Sequence, residues 1–597
     1  MISILKELSD RVRRAVSAIG AEGDPLVFTS GSDKPGDYQS NCALALAKKL
    51  GRKPRDVAGA VVEHLDVADM CELPEIAGPG FINFLLKPEY LARCLQEVPA
   101  ACDPAGERVG IDPVDSPQVV VVDLSSPNLA KEMHVGHLRS TVIGDCVARI
   151  LGFQGHTVVR ENHVGDWGTQ FGMLVAYLRR TRPDVLDHLD DLVISDLEVF
   201  YIEAKCLFDR DEGFKKESQQ TVVALQSGDE ETRRIWRAFC DESLRHCRRI
   251  YRRLDVELID RGESFYNDLM PQVVERLTDA GHAVENEGAI CVFLDGFQTR
   301  EREPLPLIVR KSDGGYNYAT SDLATIVHRL ETLGAKRIIY VVGIAQKLHF
   351  DMLFAATRKA GWADESVFLQ HLGFGNMLAP SGQPFKTREG GTVKLKDLLD
   401  QAVGTARRVV EPQDAGGNST DPASGRGFTP EEADEVAETV GIAAVKYFDL
   451  QHSLIKDYKF DLDIMLALDG NTAPYMLYAY ARIRAIGRKA GIDFDTFEPD
   501  GGILLEHPAE IALAKSLLRF AEIIDQVAAD LRPNLLTEYL YDLSKAFSRF
   551  YDRKLGVRVI DASPQSVRTS RLRLCDLTAR TLKLGLSVLG IQTLERM

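Results

Sequence analysis

"VVVVDLSSPNLAKEMHVGHLRST", residues 119–141, decides the fold. Its opening apolar run has no polar alternation, as expected of a strand buried on both faces of a parallel sheet. Leu138, Val142, Ile143, Val147 and Ile150 then recur on one stripe of a helix predicted over about 135–151. A strand-to-helix corner in such a sheet aims backbone N–H groups and the positive end of the helix dipole at the crevice, so an anion is expected there. His134 and His137, three residues apart, fall on one face of the first turn. Gly136 between them leaves room for a nucleotide, and Lys131 reaches the same space. Such a set suits the negative charge that builds on an α-phosphate when a nucleophile displaces pyrophosphate. Either histidine also fits a satisfied core residue. The H-x-x-H spacing is half of a metal site too, but no third ligand stands at helical spacing and no metal is expected.

Working outward, "HTVVREN" (156–162), "RIIYVVG" (337–343) and "SVFLQHLGFGNM" (366–377) continue the strand pattern, and "GDWGTQFGMLVAYL" (165–178) is a loop entering a helix. Residues 185–255 are charged and helical by period. The economical description is a Rossmann-type parallel sheet over 111–400, split by a helical insertion at about 180–310. Residues 1–110 read as an α+β module, with helical patterns at 1–19 and 38–50 and a turn-and-strand at "GPGFINFLL" (78–86). Residues 401–435 form a linker that includes the Gly/Ser/Pro/Asp-rich stretch 411–428. Residues 436–597 are predicted to be an all-helical bundle, broken near Pro533. The chain is therefore a multidomain α/β protein.

Composition narrows the class. The 597 residues are 45% hydrophobic and 27% charged, an ordinary globular balance. No apolar run is long enough for a membrane span, and the amphipathic start lacks the continuous apolar core of a secretory signal, so a cytoplasmic location is expected. Ten cysteines contain no C-x-x-C and read as reduced thiols. The net charge of −16 disfavours indiscriminate coating of nucleic acid. Yet 545–583 holds ten basic residues against three acids, and "FSRFYDRK" (547–554) interleaves rings with cations. A solvated helical face would look similar, but the aromatic cluster favours a grip on single-stranded RNA through stacking on Phe547, Phe550 and Tyr551.

With these residues in view, "SSPNLAKEMHVGHLRST" resembles the HIGH signature of class I aminoacyl-tRNA synthetases in its arginyl form. "GDWGTQFGML" (165–174), "YNYATSDLAT" (316–325), "YVVGIAQKLHF" (340–350), "PFKTREGGTVKL" (384–395) and "DGNTAPYMLYAYARI" (469–483) look like that family's further blocks, in order. The resemblance implies an aminoacyl-tRNA ligase that activates L-arginine with ATP and magnesium, without a bound organic cofactor, and charges tRNA(Arg), as a monomer. It also implies that activation needs bound tRNA. It makes the N-terminal module a tRNA-binding addition and the C-terminal bundle an anticodon-binding domain. The family's K-M-S-K-S signature is degenerate here: Lys386 and Arg388 stand in its place, and Lys131 is expected to compensate. The resemblance assigns arginine contacts to Asp123, Asn128, Tyr318, Asp322 and Gln346, and ATP contacts to Lys131, His134, Gly136 and His137. Two carboxylates over a guanidinium would favour arginine, although Asp123 also fits a turn cap, Asp322 a helix N-cap and Tyr318 a core residue. Asn83 is implied at the tRNA elbow, and Tyr551, Lys554, Arg558 and Met597 near the anticodon. His163, Asp166 and Trp167 are expected to be structural or close to substrate.

Overall fold

The computed structural model describes residues 3–31, 35–100, 107–385, 393–410, 428–498, 500–555 and 557–597. The chain forms two compact units. One comprises Met1–Pro113, Val410–Val436 and Ala467–Met597, and the other Val114–Val409 and Ala437–Leu466.

The first unit opens with α1 (Ile4–Ala18), β1 (Val27–Thr29), β2 (Tyr38–Ser40), α2 (Cys42–Leu50), α3 (Pro54–Glu63), β3 (Glu75–Ala77), β4 (Phe81–Phe84) and α4 (Pro88–Gln96). The strands form an antiparallel sheet in the order β1-β2-β4-β3. The helical pattern predicted from 38 starts only at Cys42, because Tyr38–Ser40 pair with β1 and β4.

The second unit contains β5 (Val119–Asp123), α5 (Gly136–Phe153), β6 (Thr157–Asn162), α6 (Thr169–Thr181), α7 (Leu197–Arg210), α8 (Glu212–Ser227), α9 (Glu230–Arg253), β7 (Ile259–Asp260) and α10 (Met270–Asp279). It continues with β8 (Ala283–Asn286), β9 (Ala289–Gln298), β10 (Pro304–Arg310), α11 (Tyr318–Glu331), β11 (Arg337–Tyr340), α12 (Lys347–Lys359), β12 (Phe368–His371), β13 (Met377–Leu378) and α13 (Leu395–Val410). Five parallel strands run in the order β12-β11-β5-β6-β7. The order reverses beside β5, so the crevice at its carboxyl end is where an open α/β sheet binds ligands. The insertion is helical through α7–α9 and again at α10, but not to its end. Residues 283–310 form an antiparallel sheet, β10-β9-β8, turned at Gly288 with φ +77°. "AICVFLDGFQ" and "PLPLIVR" explain this, being short, apolar and rich in strand formers.

α14 (Pro430–Leu450) starts in the first unit and ends in the second, and is followed by β14 (Tyr458–Lys459), parallel to β13, and the short α15 (Leu462–Met465). The remaining helices, α16 (Ala473–Ala490), α17 (Pro508–Leu518), α18 (Phe520–Asp530), α19 (Asn534–Phe550) and α20 (Gln565–Val588), belong to the first unit. The N-terminal module is seated on them by polar anchors. Glu522 accepts from Tyr38 Oη (2.7 Å) and Leu5 N (2.8 Å), and Lys515 Nζ meets Asp37 at 2.6 Å.

One close approach in the second unit sets the catalytic corner. A Cβ on Gly144, mid-way along α5, would lie 2.4 Å from Leu124 Cβ, so only glycine lets this helix lie against the end of β5. Gly144→Ala should therefore overpack the helix–sheet contact and cost about 1–3 kcal/mol. Urea unfolding followed by fluorescence checks this, and an unchanged midpoint would show that the sheet yields freely.

Candidate active site

At the corner, both imidazoles are held by the backbone. His134 Nδ1 accepts from Gly136 N–H (3.1 Å) and His137 Nδ1 from His134 N–H (3.1 Å), with ring centroids 4.0 Å apart. A nitrogen that accepts carries no proton, so each ring is the Nε2–H tautomer. Burial, then the neighbouring Lys131 cation, holds His134 below the ordinary imidazole value. Burial, then His134, brings His137 down to about 3. The pair is thus neutral at physiological pH and offers N–H donors. A side chain on Gly136 would press on His134 Cε1 at 2.8 Å.

The insertion and the 393–395 segment clamp this loop. Val135 N–H donates to Val393 O (3.1 Å) and Leu395 N–H to Met133 O (3.0 Å), while Lys394 Nζ reaches Asp196 at 2.6 Å. Glu132 meets His246 on α9 at 3.0 Å, and Lys131 Nζ lies 4.3 Å from the Tyr201 ring centroid on α7. Lys386 and Arg388 lie outside the described residues.

The carboxylates fall into two layers. In the inner one, Arg329 Nη2 of α11 donates to Asp123 Oδ2 (2.6 Å) and Glu161 Oε1 (2.8 Å), and Tyr266 and Arg261 also donate to Glu161. Burial opposes ionisation of Glu161, but Arg329, Tyr266 and Arg261 together outweigh it and the carboxyl lies below its ordinary value. Two acids and two arginines make this layer neutral. Asp123, expected over a substrate guanidinium, is 4% exposed and has both oxygens engaged, Oδ1 accepting from Ser126 Oγ. Its reading as a turn cap accounts for the Ser126 bond but not for Arg329.

The outer layer carries the excess charge. Asp322 on α11 accepts from His349 at 2.7 Å, and the first-turn placement of Tyr318 and Asp322 puts them on one face, with Asn317 rather than Asp322 at the N-cap. Glu263 was not singled out in the sequence. Burial, then Asp166, then Asp322, pushes its carboxyl up to about 7. Burial also raises Asp166, which accepts from Ser264 N (2.9 Å) and Oγ (2.6 Å). The signal available for Glu263 was its position in "RGESFYND", directly after a strand at the sheet's carboxyl edge. Tyr318 is 74% exposed, which removes its core reading. Asn128 and Gln346 are exposed, and Asn128 Oδ1 accepts from Gln170 at 3.1 Å.

In the first unit several expected RNA contacts are turned inward. Asn83 is 4% exposed and accepts from Gln39 (2.9 Å), because its strand faces the module's interior. Phe547 and Phe550 are core residues at 2% and 0% exposure. Arg568, Arg571, Arg573 and Arg580 donate to carbonyls of their own unit, so much of the local basic excess is structural. Tyr551 is half-buried, nearly parallel to Phe547 (8°), with Arg482 5.5 Å from its ring centre; Lys554 and Arg558 are exposed and Met597 half-buried. Among the described residues no group of three or more acids, histidines or cysteines could hold a metal, and no helix is long and apolar enough to cross a membrane.

Comparison with known proteins agrees along the whole length. The family profiles described as "tRNA synthetases class I (R), catalytic domain", "DALR anticodon binding domain" and "Arginyl tRNA synthetase N terminal domain" match residues 108–462, 476–597 and 6–86. An arginine–tRNA ligase of Nostoc sp. is 54% identical over 98% of this chain and 97% of its own. The solved arginyl-tRNA synthetase of Plasmodium falciparum superposes with a TM-score of 0.83 at 30% identity, and that of Thermus thermophilus with 0.80 at 25%, each covering both chains fully.

Arg329→Met leaves buried Asp123 without its cation and Glu161 to Arg261 and Tyr266, and should cost about 3–5 kcal/mol near neutral pH. With Arg329 present, the lowered Glu161 carboxyl contributes stability above its ordinary value that is lost on acidification. Without Arg329 Glu161 protonates more readily, so the penalty shrinks as the pH falls through the ordinary carboxylate range, about pH 4. Denaturant midpoints of both proteins at pH 4 and 7 test this, and a gap that widens on acidification would refute it.

Proposed function

The chain belongs to the arginyl-tRNA synthetase family, and from that premise we propose that it joins L-arginine to the 3′-terminal adenosine of tRNA(Arg) in two steps. In the first, the arginine carboxylate attacks the α-phosphorus of ATP, supplied as its magnesium complex. A carboxylate–phosphorus bond forms, the bond to the bridging oxygen breaks, and pyrophosphate leaves. In the second, the adenosine 2′-hydroxyl attacks the activated carbonyl, its proton is lost, and AMP departs. Catalysis is positioning plus stabilisation of developing charge.

The observation that carries the arginine reading is the outer acid layer. Among the described residues Glu263 makes no ion pair, and Asp322 meets the imidazole of His349 rather than an arginine of the kind that pairs Asp123 and Glu161. A guanidinium supplies that charge, and a neutral side chain would leave it uncompensated. Tyr318, Asn128 and Gln346 complete the substrate's polar surroundings, with Asp123 steadying the floor. His134 and His137 donate from Nε2 to the phosphates beside Gly136, and Lys131, with Lys386 and Arg388, supplies positive charge. Tyr551, Lys554, Arg558 and Met597 form the anticodon side of the tRNA contact, while an approach to Asn83 requires displacement of Gln39. The enzyme works as a cytoplasmic monomer.

Aminoacylation of total tRNA tested with each of the twenty amino acids checks the assignment, and charging with any other amino acid in preference would overturn it. His137→Ala should lower the activation rate by about 10²-fold, as for loss of one transition-state donor, with arginine affinity intact. Equal turnover at saturating ATP would remove its phosphate-facing role. Because Glu263 must be ionised to pair with arginine, affinity should rise with pH through about 7, and binding should release a proton. Glu263→Gln should bind more weakly and without that pH dependence. Calorimetry in buffers of different ionisation enthalpy reads both effects, and an equally pH-dependent variant would clear Glu263 of the role.

A further inference from the structure

Helix α9 has two working faces. Inward, His246 holds Glu132, and Tyr251 Oη touches Ser125 Oγ (2.8 Å) and Asn162 (3.2 Å) beneath the catalytic corner. Outward, "RHCRRIYRR" (245–253) carries five arginines and no acid in a chain of net charge −16. Arg245, Arg248, Arg249 and Arg252, on successive turns, line a hollow of about 460 Å³ together with Glu257 and Asp260.

The arginines differ in how they are held. Arg245 is fixed by Glu242 (2.9 Å) and Leu192 O (3.0 Å), and Arg248 by Asp260 (2.7 Å). Arg249 and Arg252 are exposed and make no ion pair among the described residues. Glu257 and Asp260 leave the four arginines with an excess of positive charge. A stable helix terminus does not require this, since one or two cations satisfy the dipole.

We infer that this groove binds the phosphodiester backbone of the acceptor arm of the RNA substrate. Guanidiniums recognise phosphate oxygens through their planar fork of donors. Seven residues of helix separate the first and last arginine, a span of roughly 10 Å. That is longer than a lone phosphate and suits successive phosphates along a strand. The inner face fixes which arm it is. Tyr251 contacts the loop where the terminal adenosine must arrive, so RNA on the other face of the same helix is close to its reacting end. The interaction is sequence-independent and serves to position the RNA. The inference rests on the proposed tRNA-charging function and adds a site to it.

The test uses the full chain and an acceptor-arm hairpin, compared with intact tRNA and with inorganic triphosphate. Arg249→Ala/Arg252→Ala should weaken hairpin binding about 10-fold and reduce the magnitude of the log–log salt slope by about 2, one for each lost phosphate contact. Arginine binding by calorimetry should stay as in the parent, which excludes a folding defect. Arg249→Lys/Arg252→Lys should retain most of the affinity and the slope, which a purely steric effect would not restore. Unchanged hairpin affinity and slope in the alanine variant would overturn the inference. So would triphosphate that binds the groove and is lost in the variant while hairpin binding is not. Failure of the parent protein to charge tRNA would instead overturn the proposed function, so the two are separable.

Discussion

Arg329 lies where β5, β6 and α11 meet, and its guanidinium makes the carboxyl edge of the sheet possible. Asp123 is paired in register with Glu161 on one side and Tyr340 on the other. Adjacent parallel strands lie about 4.8 Å apart, so two ionised carboxylates at those positions would repel across a dry interior. With Arg329 between them and Arg261 on Glu161 they become a neutral floor. Such a buried cluster need not stabilise more than an apolar substitute of the same shape would, but it cannot lose one partner cheaply. Its value here is geometric, because it fixes the strand ends from which the corner loop departs.

Charge neutrality below is what gives the outer carboxyls their character. Burial, then the charges of Asp166 and Asp322, raise the Glu263 carboxyl, which accordingly holds its proton to about pH 7. The corner follows a complementary logic. Two histidines that could have been cations are kept neutral by burial and by backbone N–H groups directed at Nδ1. Positive charge is left to side chains with longer reach. α7 and α9 brace the same loop through Tyr201, His246 and Tyr251, so the insertion is part of the support for the site.

The parallel sheet, its switch point and the histidine corner were legible because one strand run, one helical stripe and one glycine all pointed the same way. Tyr318 and Asp322 were legible through family blocks and helical spacing. Arg329 was not, since an arginine in a helix looks like a surface residue until its partners, 206 and 168 positions away, are known. Glu263 was hidden for a related reason: a single acid in a turn gains meaning only from Asp166 and Asp322 beside it. The aromatic–basic run near 550 misled in part, because alternation cannot tell which ring faces inward, and α19 buries Phe547 and Phe550 while leaving Tyr551 at the rim. The sheet at 283–310 was masked by the charged helices that precede it.

The locked tautomers of His134 and His137 also bear on how the enzyme lets go. A neutral donor lacks the net coulombic attraction that a cation has for an anionic oxygen. Imidazolium rings would grip pyrophosphate after the bond has broken and slow its escape. In the proposed phosphate-facing role, rings that stay uncharged would assist the oxygens while charge is shifting and hold the finished leaving group less tightly than imidazolium would. Since burial and then the neighbouring His134 bring His137 to about 3, ordinary acidification does not make it a cation. On that role, the geometry proposed for the forward step would also ease release of its own by-product.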